Sequence, residues 1–267
     1  MEFRYLRGVT ALAGVPSVGA AHTMSYDIAG MAPGAHLGVP SPTHTLIIDL
    51  GDGLDLTGPG LADLTSFRVC LSGLHQMPYL IHHNGVLRGV QVDAPPGLVR
   101  ALTGAPTAEL GGEVIELSAL HPALAVELYE QVAGVPSELR EAAAGRVLAR
   151  FASSSRAAQP DAAAAWVYLA RRRGAVTVAE LTERSGWSAR YLGVKFTAEF
   201  GMGIKQAARL MRFDAARREL VAGRAAAGVA ARCGYADQAH LSREVRGFLG
   251  MSPSAYLAHL ETEFVPV

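Results

Sequence analysis

The chain has 267 residues, half of them hydrophobic and 18% charged. That length accommodates two modest domains, each with its own core, and the composition excludes intrinsic disorder. No run of 18 or more apolar residues occurs, so no membrane span is expected, and two cysteines, Cys70 and Cys233, are too few for a disulfide framework or a cysteine-rich zinc site. The zero net charge conceals an asymmetry: residues 1–150 hold 8 Lys/Arg and 14 Asp/Glu, whereas residues 151–267 hold 16 and 10. A basic half suits a polyphosphate partner, because phosphate contacts release condensed counterions, and it equally suits a solvated basic surface.

The opening MEFRYLRGVTALAGVPSVGA is basic and weakly apolar, but Gly14, Pro16 and Gly19 interrupt it. It makes a poor signal peptide, and the chain is read as cytoplasmic. Residues 40–93 read as strands: 43–50, 66–73, 78–83 and 85–93 are short, β-branched or aromatic, and bounded by turn residues. His83-Asn84-Gly85 fits a tight hairpin turn. After Pro95-Pro96 the pattern becomes helical over 96–104, 121–133 and 137–152. The Ser/Ala/Gln stretch 151–161 marks a boundary, with Asp161 at the start of the next helix, and residues 161–260 are helical in pattern. The expected fold is α+β. An N-terminal domain over 1–152 combines a sheet with trailing helices, and an all-α domain over 161–260 follows.

The C-terminal part repeats itself. Leu181 matches Val229, Gly186 matches Gly234 and Trp187 matches Tyr235 at an offset of 48; Leu192 then matches Leu241, Phe196 matches Val245, and Gly201-Met202 matches Gly250-Met251 at an offset of 49. Each copy reads as helix, tight turn, helix, with glycine in the turn. Ser188 and Asp237 are the expected N-caps of the second helices. Leu192, Phe196 and Phe200 form one core stripe, and Leu241, Val245 and Leu249 form the other. The aromatics Trp187 and Tyr235 are expected as wedges between the paired helices. Residues 203–220 form a long amphipathic helix that sets the spacing, so that two second helices can enter major-groove turns roughly 34 Å apart.

The outer face of the last of these helices carries Gln238, Ala239, Ser242, Arg243 and Arg246, residue types that read base edges or hold phosphates. Leu181, Gly186, Ser188, Leu192, Phe196, Arg212, Ala216, Val229-Ala230, Gly234-Tyr235, His240-Leu241, Arg243, Gly250 and Pro253 together resemble the signature of the AraC/XylS family of transcription factors, over about 100 residues. The resemblance implies two helix-turn-helix motifs on double-stranded DNA at a promoter or operator, and RNA polymerase as a further partner. The chain departs from the family at Gly193 and Val194, where polar or basic residues are usual. Either Val194 packs on a thymine methyl, or the first unit mainly positions the protein while the second specifies sequence. Arg190, Lys195 and Thr197 complete the outer face of the first unit. Arg243 is read as a base contact. Arg209, Arg212, Arg217 and Arg246 are read as phosphate contacts or surface ion pairs, and His240 as a base contact, a cap or a packing residue.

The N-terminal half is similar to the cupin-like domain of a group of actinobacterial AraC-type regulators, which implies effector sensing, dimerisation or both. Seven of the nine histidines fall within residues 22–121, which raises a metal-dependent cupin enzyme as an alternative. The adjacent pair His82-His83 would point to opposite faces of a strand and chelates poorly. No catalytic residue, metal ligand or cofactor is therefore assigned. A second alternative is an architectural DNA-binding protein without ligand. Cys70 is expected as a buried small hydrophobe. The helices at 121–133 and 137–152 either cover the sheet or form a homodimer interface.

Overall fold

The structure is a computed structural model that describes residues 21–152 and 160–263. The segment weighed as a signal peptide and most of the boundary stretch 151–161 lie outside the described residues. The strands are β1 (His22–Ile28), β2 (Gly34–Gly38), β3 (His44–Asp49), β4 (Leu54–Thr57), β5 (Thr65–Phe67), β6 (Val69–Ser72), β7 (Tyr79–His83) and β8 (Leu87–Ala94). After α1 (Pro96–Thr103) come a 3-10 turn at Thr107–Leu110, β9 (Val114–Glu116), α2 (Leu117–Leu120), α3 (Pro122–Ala133) and α4 (Arg140–Ala152). The helical half comprises α5 (Pro160–Arg171), α6 (Val178–Ser185), α7 (Ala189–Phe200), α8 (Ile204–Val221), α9 (Ala226–Arg232), α10 (Gln238–Leu249) and α11 (Pro253–Glu263).

Period-two alternation sorts the strand residues into layers. One sheet runs β1-β8-β3-β6-β9 and the other β2-β7-β4-β5. Ile47, Cys70 and Val114 of the first meet Leu54, Leu56, Phe67 and Tyr79 of the second in the sandwich interior. Leu46, Ile48, Val69, Leu71, Val90 and Val92 face the other way, onto α1, α3 and α4. The helices considered for a dimer interface therefore cover the sheet, although Val126 and Leu139 keep exposed side chains.

The hairpin expected at His83-Asn84-Gly85 does not join paired strands. The neighbours of β7 are β2 and β4, and those of β8 are β1 and β3. Gly85, at φ 99°, turns the chain from one sheet to the other. The turn residues specify the reversal, but pairing follows from which apolar faces can be covered.

The helical half has its own core. Trp166 packs against Phe200 and Phe196, with ring centroids 4.5 and 5.9 Å away, and Phe213 stacks on Phe248 at 4.4 Å. The two halves meet at the end of α7. Glu199, 3% exposed, takes a hydrogen bond from Arg100 of α1 at 3.1 Å, while Thr107 Oγ1 donates to the Glu199 carbonyl at 3.0 Å. Gly201, at φ 72°, comes so close that a Cβ there would stand 3.2 Å from Ala108 Cα. Leu37, Val39 and Leu74 add apolar contacts to the helical core.

Burial pushes the Glu199 carboxyl above its ordinary range, and Arg100 draws it back. Deleting Arg100 leaves a buried carboxylate without its counter-ion, an effect of about 3 kcal/mol when the carboxylate is ionised. Arg100→Ala is therefore expected to lower stability strongly near neutral pH, and less as acid protonates Glu199. Urea unfolding near neutral pH and at about pH 5 checks this; equal losses at both values would contradict it. A second pH effect comes from His44, which is fully buried with Nδ1 donating to the Ser72 carbonyl at 2.9 Å. Burial lowers its pKa to about 4. An unfolded histidine takes up its proton near pH 6.5, so in the window between these values acidification favours the unfolded state. The contribution reaches on the order of 3 kcal/mol below the window. His44→Asn is expected to flatten the pH dependence of the urea midpoint there, and an unchanged slope would contradict the assignment.

Candidate nucleic-acid interface

The two helix-turn-helix units are built by the same local chemistry. Gly186 closes α6 at φ 70° and Gly234 follows α9 at φ 72°, left-handed conformations that cost least for glycine. Ser188 Oγ accepts the Tyr191 N–H at 3.2 Å, and an Asp237 carboxylate oxygen accepts the His240 N–H at 2.6 Å. These are the expected N-caps of α7 and α10. Both helices end on left-handed glycines, Gly201 and Gly250. The two core stripes, Leu192/Phe196/Phe200 and Leu241/Val245/Leu249, are all buried. The units differ at entry: Thr177 and Glu180 form a capping box on α6, whereas Ala225 gives α9 no side-chain cap.

On α10 the outer face presents Gln238, Ala239, Arg243 and Arg246, all exposed, with Ser242 half-buried beside them. His240 is half-buried: its ring nitrogen accepts the Ala236 N–H at 3.4 Å and its ring meets Tyr235 edge-on at 5.2 Å. Both a capping bond and ring packing are therefore seen. Tyr235 is the buried wedge that was expected, and burial pushes its hydroxyl up to about 12.

On α7, Arg190, Val194 and Thr197 are exposed and Lys195 is half-buried. Trp187 is only partly buried and stacks face to face on Tyr191 at 4.0 Å and 8°. The Lys195 ammonium lies 5.4 Å from the Tyr191 ring. Tyr191, 40% exposed, was absent from the sequence-based set of contacts. The signal for it was the four-residue spacing of Tyr191 and Lys195 on one helix face, with the aromatic Trp187 just before the N-cap. At Gly193 a Cβ would meet nothing within 4 Å, so packing does not require the glycine.

The arginines of α8 have a different job. Arg209 clamps Glu244 of α10 through two hydrogen bonds of 2.9 Å. Arg212 lies 3.9 Å from the same carboxylate and 5.0 Å over the Tyr235 ring. Arg217 pairs with Asp214 at 3.0 Å. For these three the ion-pair reading is the one the structure shows. Among the described residues, Arg190, Arg243 and Arg246 enter no ion pair. A further hub lies at the end of α8, where Glu219 is paired with Arg173, Arg224 and Arg232.

The histidines of the β half do not converge. His82 bonds Thr57 at 2.9 Å, while His83 faces His36 at a ring distance of 5.8 Å. Among the described residues no group of three His, Cys, Asp or Glu side chains is placed to hold a metal ion. Cys70 is buried, which pushes its thiol up to about 12. A cavity of about 260 Å³ lies at the seam, where Leu74, His75 and Gly112 face Phe200 and Met202. No helix among the described residues is long and apolar enough to cross a membrane.

Residues 181–259 match the family described as helix-turn-helix domain. Among solved structures, ToxT from Vibrio cholerae O395 is similar over 90% of this chain and 98% of its own, at 11% identity and a TM-score of 0.51. The unsaturated fatty acid bound wild-type ToxT from Vibrio cholerae strain SCE256 is similar over 89% and 94%, at 12% identity and a TM-score of 0.53. These likenesses establish a shared fold: paired β-sheets followed by a helical C-terminal domain. Among curated proteins, none matches the sequence.

The division between free and clamped arginines is measurable. Arg243→Ala is expected to change stability by no more than about 0.5 kcal/mol, as an exposed side chain without partners. Arg209→Ala is expected to cost on the order of 2 kcal/mol, reduced from the fully buried case because the guanidinium is half-exposed. Chemical denaturation of the two variants checks the contrast, and equal losses would remove it.

Proposed function

We propose that this chain, whose residues 181–259 form an AraC-type helix-turn-helix domain, is a sequence-specific DNA-binding transcription regulator. The observation that carries the reading is the match between two units with the same turn and core stripe and similarly capped second helices, joined by α8, whose outer faces keep unpaired arginines. Arg243 reads a base edge from the middle of α10, with Gln238, Ala239 and Ser242 around it. Arg246 and Arg190 flank the reading faces as phosphate or base contacts. Arg209 and Arg212 serve indirectly, by holding α10 on α8. Residues 161–260 are the DNA-binding domain, and 1–152 the sensing or dimerising domain.

Modulation follows from the seam. A compact effector with both polar and apolar surface in the cavity would touch the β half and the end of α7 together. A ligand that prefers one arrangement of the halves shifts the DNA-competent population by its difference in affinity. The fatty acid named for ToxT supports an effector of small size without identifying the one used here. A homodimer, and contact with RNA polymerase at a promoter, complete the proposal for a protein working in the cytoplasm.

The test is selection from random duplex DNA with wild type and Arg243→Ala at fixed salt. One enriched motif is expected, relaxed at one or two positions in the variant, with a loss of about 1–3 kcal/mol at the base that Arg243 reads. Binding that only falls with salt, without an enriched motif, would overturn the reading.

A further inference from the structure

The two recognition helices carry opposite chemistry at equivalent positions. At the offset of 49 that aligns α7 with α10, Val194 stands where Arg243 stands, and Tyr191 stands where His240 stands. Val194 is 62% exposed and Tyr191 40% exposed. They lie three residues apart on the same helix face. Large apolar side chains side by side on an outer face mark a contact surface.

The surroundings narrow the occupant. Arg190, beside the pair, is exposed and has no ion pair among the described residues, and Lys195 lies on the Tyr191 ring. The single carboxylate of α7, Glu199, is buried and turned to Arg100. The face is thus apolar at its centre and cationic at its edge. It complements a major-groove wall, where thymine methyl groups lie between rows of phosphates. Stacking on Trp187 from one side and Lys195 from the other holds the Tyr191 ring before any partner arrives, so little side-chain freedom is lost on contact.

We propose that the first unit reads thymine through its C5 methyl group, with Val194 and Tyr191 as the specificity-determining surface, while the second unit reads a hydrogen-bonding edge through Arg243. This inference rests on the DNA-binding reading above and assigns the first unit a sequence preference of its own. The operator is therefore asymmetric in chemistry, with a methyl-read half and an arginine-read half.

The test starts from the motif selected by the wild-type chain. Bases relaxed by Arg243→Ala mark the second unit's half. In the other half, each thymine is replaced singly by uracil, which removes only the methyl group. At one or two positions affinity is expected to fall about three- to fivefold, the effect of one buried methyl group. Val194→Arg is expected to abolish that sensitivity and to shift the selected base there from thymine to guanine, leaving the second half of the motif unchanged. Because position 194 is exposed, circular dichroism and the melting temperature of the variant should match wild type. Uracil tolerated at every position by the wild type, or a Val194→Arg motif identical to that of the wild type, would overturn the proposal. So would a Tyr191→Ala variant that changes sedimentation but not base preference, since the face would then meet another protein. Failure of the DNA-binding reading itself looks different: no Arg243-dependent half would be found at all.

Discussion

Each recognition helix is oriented by one buried carboxylate on its inner face. On α7 it is Glu199, which takes Arg100 from α1; on α10 it is Glu244, 8% exposed, which takes Arg209 from α8. A carboxylate so placed cannot remain ionised without a counter-ion and hydrogen bonds, so each helix has few orientations in which its charge is satisfied. The bidentate geometry at Glu244 restricts the choice further, because both guanidinium bonds must be aligned together. This constraint also divides the basic residues. Arginines recruited to the carboxylates are structural, and those left on the outer faces can meet DNA.

The two carboxylates choose partners in different parts of the molecule. Glu244 ties the second unit to the helix that links the units. Glu199 ties the first unit to α1 and to the Thr107–Leu110 turn, beneath the sheet. The first unit is thus anchored to the N-terminal half and the second to the helix that links the units.

Much of the helical half was legible in the sequence because its determinants are local. Gly186 and Gly234, the caps Ser188 and Asp237, and the apolar stripes all act within one or two turns, so their spacing along the chain is their spacing in space. The β half was less legible. β1 and β2 lack a clean alternation, since HTMSYDI and GAHLG are only partly buried on either face. The turn at Gly85 specifies a reversal but not which strand lies alongside, and the chain there changes sheets. The Arg100–Glu199 pair spans 99 positions, and nothing local distinguishes either residue from a solvated charge. For Arg209 and Arg212 the sequence left phosphate contact and ion pair open for the same reason: their partner, Glu244, lies on another helix.

The seam also restricts the kind of regulation that is energetically feasible. Separating the halves would expose Leu37, Val39 and Leu74 and leave Glu199 without Arg100, which carries the penalty of stranding a buried ionised group unless water reaches it at once. An effector acting by separation must offset that penalty through its own preference for the open arrangement, since a ligand shifts an equilibrium only by its differential affinity. An effector that fills the cavity beside Phe200 and Met202 faces no such cost. Such an effector would add contacts between the end of α7 and the segments at 74–77 and 111–112. Regulation of this kind raises DNA affinity when the closed arrangement is the one whose helix spacing fits the grooves, and lowers it when it is not. For any effector, the sign would depend both on which arrangement it prefers and on whether the helix spacing of that arrangement fits the grooves.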